Sequence, residues 1–243
     1  AIFMPLVDMH CHIDLDKNWK PLLTKIVEQD VIVLTVSNRP DYYELGASRL
    51  QVSPNIKLGL GFHPQLVDED FEKFLPQLEA LIPGAKFIGE IGLDGSGDHK
   101  DYMEFQEEVL SFILRECSSD ISQDRVLSLH TRKAEKKTLD ILEDHPDTGT
   151  PVLHWFTGSL PQAKRALELG AYFSINPKMT KTKKGKELIS VVPLNRIFTE
   201  TDYPFVDVKP WEVHTVEDSI AQIKGVSPQE VNSNILNNFR SLT

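Results

Sequence analysis

Two cysteines, Cys11 and Cys117, are all that 243 residues carry. A disulfide framework is thereby excluded, and the pattern fits a chain working in a reducing cytoplasm. Long apolar runs are missing as well: no stretch approaches the ~20 residues needed to cross a bilayer. Residues 1–6 are apolar, but they lack a basic leader region and continue straight into a strand, which argues against a secretory signal. Positive charge is scarce. Lys and Arg number 26 against 36 Asp and Glu, a formal net charge of −10. That balance excludes indiscriminate coating of nucleic acid, which needs a basic surface. It leaves room for a local basic site, or for metals that hold phosphate. Internal repeats, linkers and low-complexity tracts are absent too, so the chain is expected to form one domain over residues 1–243.

What is present is a regular alternation. Short apolar or β-branched runs bounded by Gly, Pro, Asn or Asp predict strands at Leu6–Ile13, Val31–Ser37, Ile56–His63, Lys86–Leu93, Val126–Arg132, Pro151–Phe156, Ala171–Ile175 and Arg196–Thr201. Between them, apolar residues at i, i+3 and i+4 predict helices, as at Phe71–Leu81, Tyr102–Glu116, Lys133–Glu143 and Pro161–Leu169. Ser159 and Pro161 suit the start of one helix and Gly170 its stop; Ser227-Pro228-Gln229-Glu230 opens the last of the closing helices between Val216 and Phe239. Eight strands, each followed by helical material, predict an α/β fold of the (β/α)8 TIM-barrel type.

Such barrels place their chemistry at the C-terminal ends of the strands. Strand one ends in Asp8-Met9-His10-Cys11-His12, and residues two apart share a strand face, so both imidazoles project together while Cys11 points away. The later strand ends carry His63, Glu90, His130, His154 and Asp202. Five of the eight histidines thus fall where strand ends should converge. Any one of them alone would more often be a satisfied core residue, and Asp202 alone could cap a helix. Glu90 is harder to dismiss, because an ionised carboxylate in an apolar strand is costly unless paired or bound to metal. Together the residues form a ligand set for two divalent cations, zinc, manganese or magnesium. Mixed imidazole and carboxylate ligands suit zinc, manganese or iron, while magnesium prefers more oxygen. His10, His12 and Asp202 are expected on one metal, His130 and His154 on the other, with Glu90 bridging. A water between the metals would be acidified to hydroxide near neutral pH, with Asp202 as general base. Lys178, Lys181, Lys183, Lys184 and Lys186 crowd one segment, either as a solvated loop or as a phosphate-contacting rim.

Asp8 to Asp14, Gly61-Phe62-His63-Pro64, Ile88-Gly89-Glu90-Ile91-Gly92-Leu93-Asp94, Leu153 to Ser159 and Thr199-Glu200-Thr201-Asp202-Tyr203-Pro204 resemble, in order and spacing, the TatD family of metal-dependent deoxyribonucleases. The resemblance implies a distorted TIM barrel and metal-dependent hydrolysis of DNA phosphodiester bonds, often from 3′ ends of single strands. It implies His10, His12, Glu90, His130, His154 and Asp202 as metal ligands and His63 beside the scissile phosphate, with Glu90, His63 and Asp202 catalytic. Arg132 stands where the family carries a phosphate-binding arginine, although a salt bridge at a helix start is the alternative. Within the family, Gly61 to Val67, Trp155 and Ala171 to Asn176 look most similar to the TatD-type nuclease component of Qat anti-phage defence systems, which implies defence-operon partners and a cytoplasmic location. One departure stands out. Relatives follow Gly-Leu-Asp with aromatic residues that stack on bases, whereas Gly95-Ser96-Gly97 follows here, leaving Trp155 or Tyr203 as base platforms and Lys178 and Lys181 as phosphate contacts. Another hydrolase, an amidohydrolase or small-molecule phosphoesterase on the same kind of site, and a defence subunit of weak nuclease activity are the alternatives.

Overall fold

Every strand run predicted from the sequence forms a strand, and nearly all end earlier than predicted. In the computed structural model, which describes residues 4–120 and 124–243, the order is β1 (Leu6–Cys11), α1 (Trp19–Glu28), β2 (Val31–Val36), α2 (Pro40–Arg49), β3 (Ile56–Leu60), α3 (Leu75–Leu81), β4 (Phe87–Gly92), α4 (Met103–Ser119), β5 (Val126–His130), α5 (Glu135–Asp144), β6 (Thr150–His154), α6 (Leu160–Glu168), β7 (Tyr172–Ile175), α7 (Lys183–Val191), β8 (Ile197–Thr199), α8 (His214–Lys224) and α9 (Pro228–Leu242). Ile2 and Phe3, the start of the predicted apolar run, lie outside the described residues. The strands form one eight-stranded parallel sheet in the order β1 to β8, the nearly closed TIM barrel expected. The strands stop short because the polar residues at their C-terminal ends, such as His12, His63 and Asp202, sit on turns beyond the ladder. No helix among the described residues is long and apolar enough to cross a membrane.

The chain divides into two compact units. One comprises the chain up to Thr35, Arg49–Lys57 and Phe173–Thr243. In it β1 pairs with β2 and β7 with β8, and Val7, Met9, Ile26, Val33, Phe173 and Phe198 are buried. β8 returns beside β1 here: Thr199 Oγ1 donates to Val7 O at 2.6 Å, and Asp202 N donates to His10 O at 2.8 Å.

The second unit comprises Val36–Ser48 and Leu58–Tyr172. Its ladder runs from β3 to β6, over a core that includes Leu60, Ile88, Leu127, Leu129 and Ile113. Arg125 is fully buried, and its guanidinium donates to the carbonyls of Ala85, Cys117, Asp120 and Ile82. A buried charge is tolerable only with its donors satisfied in this way. The α6 start is as predicted: Ser159 and Gln162 form a reciprocal capping box with Pro in the first turn. Gly170 follows the helix at φ +85°, a left-handed position that suits glycine.

Candidate metal centre

Where β1 ends, the chain places two imidazoles and the β8 loop supplies a carboxylate. His10 and His12 are buried, their rings edge-to-face at 5.1 Å. His10 Nε2 lies 3.6 Å and His12 Nε2 3.5 Å from Asp202 Oδ1. These gaps are too long for good hydrogen bonds. They match the roughly 3.3 Å that separates two atoms each bound at about 2.0–2.1 Å to one tetrahedral ion. Two nitrogens and one carboxylate oxygen, all within 4.8 Å of one another, therefore fit a divalent cation by spacing and by donor type.

The backbone delivers Asp202 in an uncommon way. Its φ is +58°, a left-handed conformation that Asp tolerates better than most residues. Neighbouring bonds hold it there. Asp8, buried in β1, accepts from Thr201 N at 3.0 Å and from Thr201 Oγ1 at 2.6 Å, while Thr201 Oγ1 accepts from Tyr203 N at 3.1 Å. Burial pushes the Asp8 carboxyl up to about 7, against the lowering effect of these donors. Burial also raises the Cys11 thiol, whose Sγ faces Leu34 O at 3.6 Å. Cys11 is turned away from the imidazoles, as strand alternation predicts.

The other unit builds its own cluster around Glu90. This carboxylate is 2% exposed; His63 Nε2 approaches its Oε2 at 3.1 Å and His130 Nδ1 at 3.0 Å. The register of β4 shifts between Ile88 and Ile91, an irregularity of the kind that re-aims a side chain. Gly61 permits the approach of backbone that this requires. A Cβ there would sit 2.3 Å from Glu90 N and 2.2 Å from Ser37 O, and Glu90 N donates to that Ser37 carbonyl at 3.1 Å. Gly92, at φ +135°, would likewise drive a Cβ to 2.0 Å from His130 O. His154 lies beside the cluster, 6.4 Å from His130 between ring centroids. His130 Nε2 faces Asp94 Oδ2 at 2.6 Å. Burial opposes protonation of His130, but the Asp94 and Glu90 carboxylates outweigh it and raise its pKa. Burial likewise disfavours the Asp94 anion, yet hydrogen bonds from His130, Ser96 and Gln65 hold it well below the usual carboxylate range.

The predicted phosphate contacts are on the surface. Arg132, Lys178 and Lys181 are exposed, as are Lys183, Lys184 and Lys186. Arg132 makes no ion pair among the described residues, so the salt bridge considered as its alternative is not formed. Tyr203 differs from expectation. It is 6% exposed, and its hydroxyl donates to Asp16 Oδ2 and accepts from Lys209 Nζ, so its ring offers no face to a base. Phe205, two residues on, is 65% exposed, with its ring edge-on to His12 at 5.2 Å. Sequence reasoning overlooked it, although an aromatic residue directly after the Asp202-Tyr203-Pro204 motif was the visible clue. It also assigned no task to Gln65, Asp94 or Ser96, whose polar side chains interlock beside His130.

A family model described as TatD related DNase matches residues 7–243. The human deoxyribonuclease TATDN3 is 26% identical over 93% of this chain and 90% of its own length. An uncharacterized metal-dependent hydrolase of Methanocaldococcus jannaschii, MJ1582, is 30% identical over 96% of this chain and 94% of its own. Among solved structures, the TatD homologue YjjV of Escherichia coli K12 superposes with a TM-score of 0.86 at 23% identity, covering 98% of this chain and 97% of that one.

Proposed function

We propose that this chain, which belongs to the TatD-related family of metal-dependent hydrolases, cleaves phosphodiester bonds of DNA with divalent cations held by histidines and carboxylates beyond its strand ends. The ligands are His10, His12 and Asp202 for one cation and Glu90, His130 and His154 for a second, as zinc, manganese or magnesium. The observation that carries this is the spacing of His10 Nε2, His12 Nε2 and Asp202 Oδ1, too wide for hydrogen bonding and suited to a shared ion. A human relative named as a deoxyribonuclease supports DNA as the substrate. When bound, such cations lower the pKa of a coordinated water and offset charge on phosphate.

The protein's own groups then have separate tasks. His63 Nδ1 accepts from Gln65 N at 3.0 Å, so a neutral ring carries its hydrogen on Nε2, beside Glu90. There it donates to a phosphate or leaving oxygen rather than binding metal. Asp202 serves as proton acceptor for the attacking water. Arg132, Lys178 and Lys181 hold phosphates, and the exposed ring of Phe205 offers a stacking face to an unpaired base. Single strands and 3′ ends are the substrate forms that suit such contacts.

The likeness of Gly61 to Val67 and of Ala171 to Asn176 to a Qat-type nuclease supports a further proposal, a role in anti-phage defence beside partner proteins. Plaque counts on cells carrying the whole operon, with and without Glu90→Gln, test it; equal plaquing would remove the defence role.

Metal-titrated digestion of end-labelled single- and double-stranded DNA tests the activity, with a phosphodiester-free ester or amide as control. Metal-dependent shortening of the DNA is the expected result. Cleavage of the control alone would replace the nuclease by the amidohydrolase alternative.

A further inference from the structure

Asp94 is fully buried beyond the end of β4, and every oxygen of its carboxylate is engaged. Oδ1 accepts from Ser96 N at 2.7 Å and from the Ser96 hydroxyl. Oδ2 accepts from Gln65 Nε2 at 2.8 Å and faces His130 Nε2 at 2.6 Å. The backbone of the residue is pinned as well: Asp94 N donates to Gln106 Oε1 at 2.7 Å, and Gln106 Nε2 donates back to Asp94 O at 3.1 Å. A carboxylate held like this offers acceptors only, so His130 must carry a hydrogen on Nε2 to make the contact. In a neutral imidazole the lone pair then falls on Nδ1. That nitrogen lies 3.0 Å from Glu90 Oε2: a protonated ring fills the contact with a second N–H, and a neutral ring leaves it for a cation.

We propose that Asp94 is a positioning residue that fixes the tautomer and plane of His130, so that Nδ1 is presented as the metal-binding atom beside the Glu90 carboxylate. The proposal rests on the metal-site reading above and deepens it. Metal-bound imidazoles commonly donate their second ring N–H to a carboxylate, which orients the ring and makes the ligand nitrogen more basic. Gln65 extends the arrangement to His63. Its side chain donates to Asp94 while its backbone N–H donates to His63 Nδ1 at 3.0 Å. His63 and His130 therefore hold the same tautomer but turn opposite ends toward Glu90: His63 an N–H, His130 a lone pair. One ring is made a donor and the other a ligand by a single hydrogen-bonded chain, Gln65–Asp94–His130. Ser96 supplies two of the donors that aim the Asp94 carboxylate.

Asp94→Asn is the isosteric test. One amide oxygen cannot accept from both Ser96 and His130. If it stays with Ser96, the amide nitrogen faces His130 and donates, which moves the ring proton to Nδ1. Histidine-ring ¹⁵N NMR is recorded on metal-free and zinc-loaded protein at a pH where His130 is neutral, and zinc affinity is measured by equilibrium dialysis. In the natural protein the expected result is a proton on His130 Nε2 in both states and zinc on Nδ1. Asp94→Asn should move the proton in the metal-free ring and weaken zinc binding about 10–100-fold. The ring assignments in the natural protein do not depend on the variant folding. Zinc bound through Nε2, a metal-free ring protonated on Nδ1, or a folded variant with undiminished zinc affinity would each overturn the proposal alone. Natural protein that takes up no zinc would overturn the site reading and this proposal together.

Discussion

Glu217 lies in the first turn of α8, 3% exposed. Asn232 Nδ2 donates to its Oε1 at 3.1 Å. Burial raises the carboxyl from the ordinary 4.5 to about 7; Asp218 adds to this, and the Asn232 hydrogen bond acts against it. The sign follows from linkage. Between pH 4.5 and 7 the unfolded chain has released this proton while the folded chain retains it, so stability falls as pH rises through that window. Above pH 7 the folded protein carries a buried anion at a cost of about 3 kcal/mol, from 1.36 kcal/mol per pH unit. Glu217→Gln keeps an acceptor for Asn232 and removes the charge. Its extra N–H donors need a partner, which costs about 1 kcal/mol at every pH. The variant-minus-natural difference in unfolding free energy should therefore grow by about 2.5 kcal/mol between pH 5 and pH 9. Urea unfolding at the two pH values, with a chelator present, measures it directly. Groups common to both proteins cancel in the comparison. A difference unchanged within about 0.5 kcal/mol across that range would refute the reasoning that this carboxylate is folded in its neutral form.

Three further outcomes are expected. Glu90→Gln removes the charge that faces both His63 and His130, so bound metal and DNA hydrolysis should fall together; full activity with a full metal complement would disprove the ligand role of Glu90. Asp202→Asn keeps an oxygen for a cation but cannot take a proton, so turnover should drop more than metal content, read by metal analysis of the same preparation used for kinetics. Ser159→Ala loses the α6 cap and should cost about 1 kcal/mol, a fall of roughly 2–4 °C in Tm, with DNA cleavage unchanged.

The strand order and the helix alternation were legible from the residues alone, and the seven positions from His10 to Asp202 proposed for the site could be named from them. Apolar periodicity fixes which face of each strand and helix is buried, and a barrel reading turns strand ends into one list of candidates. His10 and His12 could be paired because strand geometry has period two, and Glu90 stood out because charge inside an apolar strand must be compensated. What the linear order could not show is which atoms face which. Whether Tyr203 shows its ring or buries it depends on Asp16 and Lys209, and Tyr203 proved buried while Phe205 is exposed. The left-handed turn at Asp202 is held by Thr201 and Asp8, from opposite ends of the chain. Asp94, read as one more letter of a motif, became the partner of His130 only when the β4 and β5 ends came within 2.6 Å. Residue type and spacing decide which groups can bind metal; only the tertiary packing around them decides which nitrogen holds the proton and which is left for the ion.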